Sequence, residues 1–398
     1  MFVAIGVLYF NGFFYRRCCN ADREDGAGKT LYTKKTNSGL CVSLHKQNIM
    51  TNNNSNKPKL TPVSELGEFG LIEHLNKNAR ENNHSTLKGI GDDAAVIRYE
   101  KDKVTVVSTD LLVEGIHFDM VYTPLKHLGY KAVAVNLSDI FAMNATPRQI
   151  TVSIAISSRF TVEALDEIYS GIHAACNAFD VDLIGGDTSS SRLGLVISVT
   201  AIGEAKPEDV VYRNTAQVGD MICMTGDLGG AYLGLQILER EKQVFLADSN
   251  MKPDLTASKY LVARQLKPEP RNDIIEILRN MKIKPTAMID ISDGLSSDLL
   301  HICNQSNVGC DVFEENIKLH PDTLQTAMKM GLPPFTCALS GGEDYELLFT
   351  VNPKDGERLT NIEGFSMIGR ITDSTKGRYL YTQKGVQHEL VAQGWKHI

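Results

Sequence analysis

"KHLGYKAVAVNLSDIFAMNA" (residues 126–145) lies between two runs rich in Val, Ile and Thr, "VTVVST" (104–109) and "ITVSIAI" (150–156). The flanking runs read as strands, and the stretch between them carries helical periodicity. "TVEALDEIYSGIHAACNAF" (161–179) continues as a second helix, and "VDLI" (181–184) and "LGLVISVTAIGE" (193–204) add strands. A polar link, "AKPEDVVYRNTAQVGD" (205–220), then precedes a second block. That block reads as strand "MICMTG" (221–226), helix "GGAYLGLQILERE" (229–241), strand "TAMID" (286–290), helix "LSSDLLHICNQ" (295–305), and strands "YELLFTV" (345–351) and "FSMIGRI" (365–371). This order defines an α/β (α+β) protein of two domains, expected at 61–204 and 205–398.

The remainder, residues 1–60, is expected to be a disordered extension or a misassigned start, since patterned sequence begins only near Thr61. Up to residue 49 the segment carries seven Lys/Arg against three Asp/Glu, in a chain of formal net charge -7. Its "GAGKT" (26–30) imitates the end of a phosphate-binding P-loop, but Arg23 stands where that motif needs glycine. Residues 1–14 are too short to span a bilayer as a helix and lack a positive n-region. An acidic chain without a basic stripe argues against nucleic-acid and anionic-membrane partners. The eight cysteines form no CxxC pair and suit a reduced, cytoplasmic protein.

Acids recur where strands give way to turns and helices: "GIGDDAAVI" (89–97), "VVSTDLLVEGIHF" (106–118), "LIGGDTSS" (183–190), "MIDISDGLSSDL" (288–299) and "SGGEDYELLF" (340–349). Each acid has an ordinary reading. Asp110 could close a strand, Asp187 could sit in a tight turn, and Asp293 could cap the helix that follows. Asp139 resists such a reading. It shares a face with Ala132, Asn136 and Met143 on a helix, expected from about Tyr130 to Asn144, that is apolar nearly all round. A carboxylate there requires a cation, which Arg148, Lys131 or a bound metal could supply. The excess of carboxylate oxygens over thiolates or paired histidines favours a hard cation such as Mg²⁺. An isolated histidine, His117, reads as structural on this basis.

Taken in order, these motifs, together with the terminal "GWKHI" (394–398), resemble the thiamine-monophosphate kinases from about Leu66 onward. The resemblance implies an aminoimidazole ribonucleotide synthetase-like fold and a homodimer whose N-terminal sheets pair. It also implies ATP as co-substrate, bound with several Mg²⁺. Carried over residue by residue, it assigns metal binding to Asp93, Ser108, Thr109, Asp110, Asp139, Asp187, Asp290 and Asp293. Among these, Asp110, Asp139 and Asp293 would be catalytic. ATP contacts fall to Tyr169, Gly186, Asp187, Arg213 and Ser292, and contacts to thiamine monophosphate to His117, Glu343 and Trp395. The ending Lys396-His397-Ile398 departs from the Asp-His-Phe common in the family, which implies an altered tail contact.

The implied reaction suits the residue types. A phosphate monoester is already ionised near neutral pH, so its attack on ATP needs charge neutralisation and alignment rather than a general base. Asp93 would then hold metal, while Asp92 orders the turn. Selenophosphate synthetase is the less favoured alternative because Cys41 lacks a glycine-rich loop with a lysine. Aminoimidazole ribonucleotide synthetase lacks "SGGEDYEL". A non-catalytic nucleotide-binding scaffold would not need the intact acid set.

Overall fold

The structure is a computed structural model that describes residues 33–35, 41–43, 84–89, 91–99, 101–248 and 255–392. Two compact units comprise Met1–Thr61 and Pro62–Ile398. In the first, β1 (Thr33–Lys35) and β2 (Cys41–Ser43) pair antiparallel; the expectations for the rest of residues 1–60 lie outside the described residues.

The second unit holds two sheets. The first comprises β3 (Thr86–Lys88), β4 (Ala95–Ile97), β5 (Val104–Val113), β6 (Thr146–Ile156), β7 (Asp182–Ser190) and β8 (Val196–Ala205), in the order β3-β4-β5-β8-β6-β7. Ten residue pairs join β5 to β8 antiparallel, from Val104↔Ala205 to Val113↔Val196. The second sheet uses β9 (Met221–Thr225), β10 (Ala287–Asp290), β11 (Val308–Phe313), β12 (Leu347–Val351), β13 (Phe365–Asp373), β14 (Arg378–Tyr381) and β15 (Gln387–Glu389), ordered β10-β12-β9-β13-β11-β14-β15. Among the described residues no helix is long and apolar enough to cross a membrane.

Two readings of the sequence are corrected here. Asp110 does not close its strand, because β5 continues for three residues to Val113. Asp187 lies in no tight turn: β7 runs straight through Gly185-Gly186-Asp187 as a parallel edge strand, with Gly186 opposite Val152 and Asp187 opposite Ser153. Gly186 allows this closeness, since a Cβ there would meet the Val152 carbonyl oxygen at 1.8 Å.

Helix α1 (Leu125–Ala142) starts after Pro124 rather than at Tyr130, and ends where Asn144 turns left-handed at φ 55. Pro124 occupies the cap position, where its missing N–H costs nothing. Every residue of α1 from Leu128 to Ala142 except Asp139 is buried, as an all-round apolar sequence requires. Helix α2 (Val162–Phe179), capped by the Thr161 hydroxyl on the Ala164 N–H, crosses α1 at two glycines. A Cβ on Gly129 would strike the Ile168 carbonyl oxygen at 1.9 Å, and one on Gly171 would strike that of Lys126 at 1.9 Å. The two backbones therefore touch, which fixes α1 along its axis. One apolar cluster runs from Val106, Leu137 and Ile154 of the first half to Met288 and Phe349 of the second.

Substituting Gly171→Ala drives a methyl into helix backbone that cannot retreat, and should cost about 2 kcal/mol or more, the upper part of the overpacking range. The expected result is a melting temperature lowered by several degrees; an unchanged value would mean that the helices are free to separate.

Candidate active site

The "GDD" turn (91–93), β5, α1, β10 and the "SGGEDYE" segment converge on a cleft of about 300 Å³. Strand alternation places Ser108 and Asp110 on one face of β5 and Thr109 on the other. The Thr109 hydroxyl accordingly donates to the Val199 carbonyl at 3.0 Å, and the residue still borders the cleft. Asp110 is held from behind, its N–H donating to Asn136 Oδ1 at 2.9 Å while Asn136 Nδ2 donates to the Ala132 carbonyl.

Facing β5, α1 presents Lys131, Val135 and Asp139 to the cleft. Neither cation considered for Asp139 reaches it. Arg148 pairs with Glu204 at 2.9 Å, and Lys131 with Glu343 at 2.9 Å; Asp139 instead accepts the Ser108 hydroxyl. Next to it, Asp290 at the end of β10 accepts the Ser138 hydroxyl at 2.7 Å. One carboxylate oxygen each from Asp93, Asp139 and Asp290 lie within 4.8 Å of one another.

The adjacent acids of the "GDD" turn divide their work. Asp93 takes the Arg213 guanidinium through both oxygens, with Nε 2.7 Å from Oδ2. Asp92 accepts its neighbour's N–H at 3.1 Å and the Arg213 main-chain N–H at 3.3 Å, so it does order the turn. Asp293 does not cap the helix that follows. In α6 (Leu295–Ser306), which follows the described helices α3 (Gly230–Ala247), α4 (Lys259–Leu266) and α5 (Asn272–Asn280), Gly294 holds the cap position. There Asp298 accepts the N–H groups of Asp293 (3.2 Å) and Gly294 (3.1 Å).

Glu343 reaches the cleft through unusual backbone geometry. Gly342, Glu343 and Tyr345 all have positive φ (71°, 57° and 52°), a conformation that costs non-glycine residues energy and is enriched at functional sites. The intervening acids hold the segment down. Asp344 accepts the Gly229 N–H at 2.7 Å and the Ala231 N–H at 3.2 Å, at the positive end of α3. Glu346, buried, binds Arg264 (2.9 Å), Arg271 (2.6 Å) and the Thr225 hydroxyl (2.5 Å). Odd positions thus face the cleft and even positions are anchored. Lys131 and Gln265 fix the Glu343 carboxylate, at 2.9 and 2.6 Å.

Eleven of the fifteen residues expected in the site line this cleft: Asp93, Ser108, Thr109, Asp110, His117, Asp139, Arg213, Asp290, Ser292, Asp293 and Glu343. His117 accepts the Val113 N–H at Nδ1 (3.0 Å), which leaves its neutral ring with the proton on Nε2. Tyr169 on α2 and Gly186 and Asp187 on exposed β7 do not line it, and Trp395 lies outside the described residues. The sequence reading missed Asp298, Tyr345 and His301, and the Lys131–Glu343 pair. Asp298 carried a signal, an acid one turn inside an apolar helix.

Eight acids line the cleft against one lysine and one arginine, both already paired with carboxylates. Burial raises the Asp110 carboxyl to about 6. Burial, then the charge of Asp93, raises Asp290 to about 8. Burial and the charges of Asp110, Asp290 and Asp93 push Asp139 well above the usual range. Such a donor set fits divalent cations that take oxygen ligands, since among the described residues one lysine and one arginine face eight acids.

Residues 91–205 match the family model described as AIR synthase related protein, N-terminal domain, and residues 217–381 match that described as AIR synthase related protein, C-terminal domain. The cleft and the two sheets are therefore those of an AIR synthase related protein. Thiamine-monophosphate kinase from Buchnera aphidicola subsp. Schizaphis graminum is 39% identical over 319 residues, which cover 79% of this chain and 93% of that one. The Bacillus subtilis protein of the same name is 32% identical over 340 residues, 84% of this chain and all of that one. A solved structure, AaThiL complexed with AMPPCP and TMP, superposes with a TM-score of 0.73 at 30% identity, covering 85% of this chain and 99% of that chain. Within the wider group, this chain belongs to the thiamine-monophosphate kinase family.

The raised carboxyls make a stability prediction. A carboxyl whose folded pKa exceeds its unfolded value of 3.8 contributes stability below that value and loses it as pH rises through the folded pKa. In chelator-treated protein, Asp139→Asn should therefore raise the melting temperature at pH 8, by the ~1–2 kcal/mol commonly released when a functional site is relaxed. The gain should shrink near pH 4–5. A variant less stable than wild type at pH 8 would show that the carboxylates do not repel as described.

Proposed function

We propose that this protein phosphorylates thiamine monophosphate with ATP, yielding thiamine diphosphate and ADP. One observation carries the reading: a match to the thiamine-monophosphate kinases over about four-fifths of the chain converges on a buried acid cluster whose lining lysine and arginine, among the described residues, are already paired. The match to AaThiL with AMPPCP and TMP supports the nucleotide and the acceptor.

Asp93, Asp110, Asp139, Asp290 and Asp293 would hold Mg²⁺, with Ser108 and Thr109 beside them. Bound there, Mg²⁺ supplies the neutralisation that two converging phosphate groups require. The chain's own residues position the reactants. Asn136 and Ser138 keep Asp110 and Asp290 aimed into the cleft. Arg213 and Ser292 are assigned to ATP, and His117 with its Nε2 proton to an acceptor oxygen on thiamine monophosphate. Glu343, anchored by Lys131, offers negative charge suited to the thiazolium cation, and Trp395 is assigned to the same substrate. The acceptor phosphate attacks as an anion, so no side chain has to remove a proton.

Tyr169, Gly186 and Asp187 remain outside this cleft. We assign them to a homodimer in which the N-terminal sheets pair and these residues meet nucleotide bound by the partner. The domain division at 61–204 and 205–398 belongs to the same reading.

Asp110→Asn and Asp139→Asn should each lower kcat by ~10²-fold or more, as loss of a charge-organising group at phosphoryl transfer does. Part of the loss should return at high Mg²⁺. A coupled ADP assay with thiamine monophosphate tests this, and near-wild-type rates in both variants would remove them from the site. Trp395→Ala should raise KM for thiamine monophosphate by roughly 5- to 30-fold, the equivalent of ~1–2 kcal/mol of ring stacking on a cation. Equal losses for ATP would reassign it to a structural role.

A further inference from the structure

Tyr345 lines the cleft, half-buried, two residues after Glu343 and turned the same way. Asp344 and Glu346 on either side of it are 1% and 2% exposed. Its backbone is left-handed at φ 52, a conformation in which a bulky residue is a genuine outlier. The chain is pinned there from both directions. The Tyr345 N–H donates to the Ile291 carbonyl at 2.9 Å, and the Ile291 N–H donates to the Glu346 carbonyl at 2.8 Å. Strain that the surroundings impose beside a cleft points to a use for the side chain it presents.

The hydroxyl is the informative group. The Tyr345 ring packs against the apolar cluster shared by the two halves, a role that phenylalanine would fill equally well. A phenol taken out of water normally finds a hydrogen-bond partner, because an unmatched one costs free energy that a bare ring does not. Among the described residues nothing pairs with this hydroxyl. It is not sealed away either, and the space that it borders is the cleft. A phenol is protonated at neutral pH, so it brings a donor to a site built from acceptors.

The neighbouring charges locate that donor. Burial, and then the charges of Glu343, Asp110, Asp290 and Asp139, push the phenol further above its usual range, so these four carboxylates surround it. Glu343 is assigned to the thiazolium cation of thiamine monophosphate, and the three aspartates to Mg²⁺. The phenol therefore stands between the cationic ring of that substrate and the metals, where the phosphate on its short ester arm has to lie.

We propose that the Tyr345 hydroxyl donates a hydrogen bond to a non-bridging oxygen of the acceptor phosphate, making Tyr345 a residue by which the cleft tells thiamine monophosphate from unphosphorylated thiamine. The assignment rests on the kinase reading given under Proposed function. With the aspartates engaged by metal, the phosphate oxygens are the acceptors left to the phenol. The bond orients the attacking oxygen and transfers no proton.

Calorimetry on the full-length protein tests this, with Mg²⁺ and the nucleotide analogue AMPPCP present so that nothing turns over. Tyr345→Phe keeps the ring and its packing and removes only the hydroxyl. Its affinity for thiamine monophosphate should fall by roughly 10- to 100-fold, the range for one hydrogen bond to a charged group. Affinity for thiamine should stay within about twofold, as should that for AMPPCP titrated separately, which also shows that the variant is folded. Unchanged affinity for thiamine monophosphate in the variant would overturn the proposal and leave the kinase reading intact. Equal losses for thiamine and its monophosphate would return Tyr345 to ring packing, and a loss for AMPPCP alone would move the hydroxyl to the nucleotide. A wild-type protein that does not bind thiamine monophosphate would overturn the kinase reading, and this proposal with it.

Discussion

Repulsion among carboxylates gathered in one cleft is the constraint that the surrounding structure has to satisfy. Placing Asp93, Asp139 and Asp290 within 4.8 Å of one another is unfavourable in a low-dielectric interior. Each is restrained by a different device. Arg213 grips Asp93 with both arms, the Ser108 hydroxyl holds Asp139, and the Ser138 hydroxyl holds Asp290. These restraints come from distant parts of the chain, so the cleft exists only when both halves are in place. Arg213 lies in the link between the halves and grips a turn of the first, which makes that link part of the site.

The "SGGEDYE" segment meets the same constraint from the other side. Asp344 and Glu346 are more deeply buried than Glu343, and they carry no chemistry in the cleft. They are satisfied by Arg264, Arg271 and the amide groups at the start of α3. A buried ion network of this kind adds little net stability compared with an apolar core, and its value is in specifying one geometry. Here that geometry is a backbone bent into the left-handed region so that Glu343 meets Lys131.

Much of this was legible in the sequence. The strand–helix–strand order around Ala132–Asp139, and the acids at the ends of β10 and before β4, depend on local pattern, and local pattern survives in one dimension. Asp139 stood out because an acid in an apolar stripe has to be explained. The partner of that acid was not legible. Lys131 lies two turns away on the same helix, yet it pairs with Glu343, 212 residues further on. Thr109 and Ser108 look equivalent in "STD" and are separated only by the pleat of β5. Strands β14 and β15 are short, and their pairing decides their identity more than their composition does. Tyr169, Gly186 and Asp187 entered through family likeness, and one chain alone gives them no shared cleft.

Most enzymes carry their reactive groups on loops that loosen well below the temperature at which the fold melts. In this chain Ser138, Asp139 and the anchoring Asn136 lie inside α1, a helix buried on nearly every side and locked backbone-to-backbone against α2. Such a segment exchanges its amide hydrogens only on global opening. For Asp139 and its neighbours on α1, local order and the folded state are thereby made one cooperative property: heat cannot loosen them before the core itself opens.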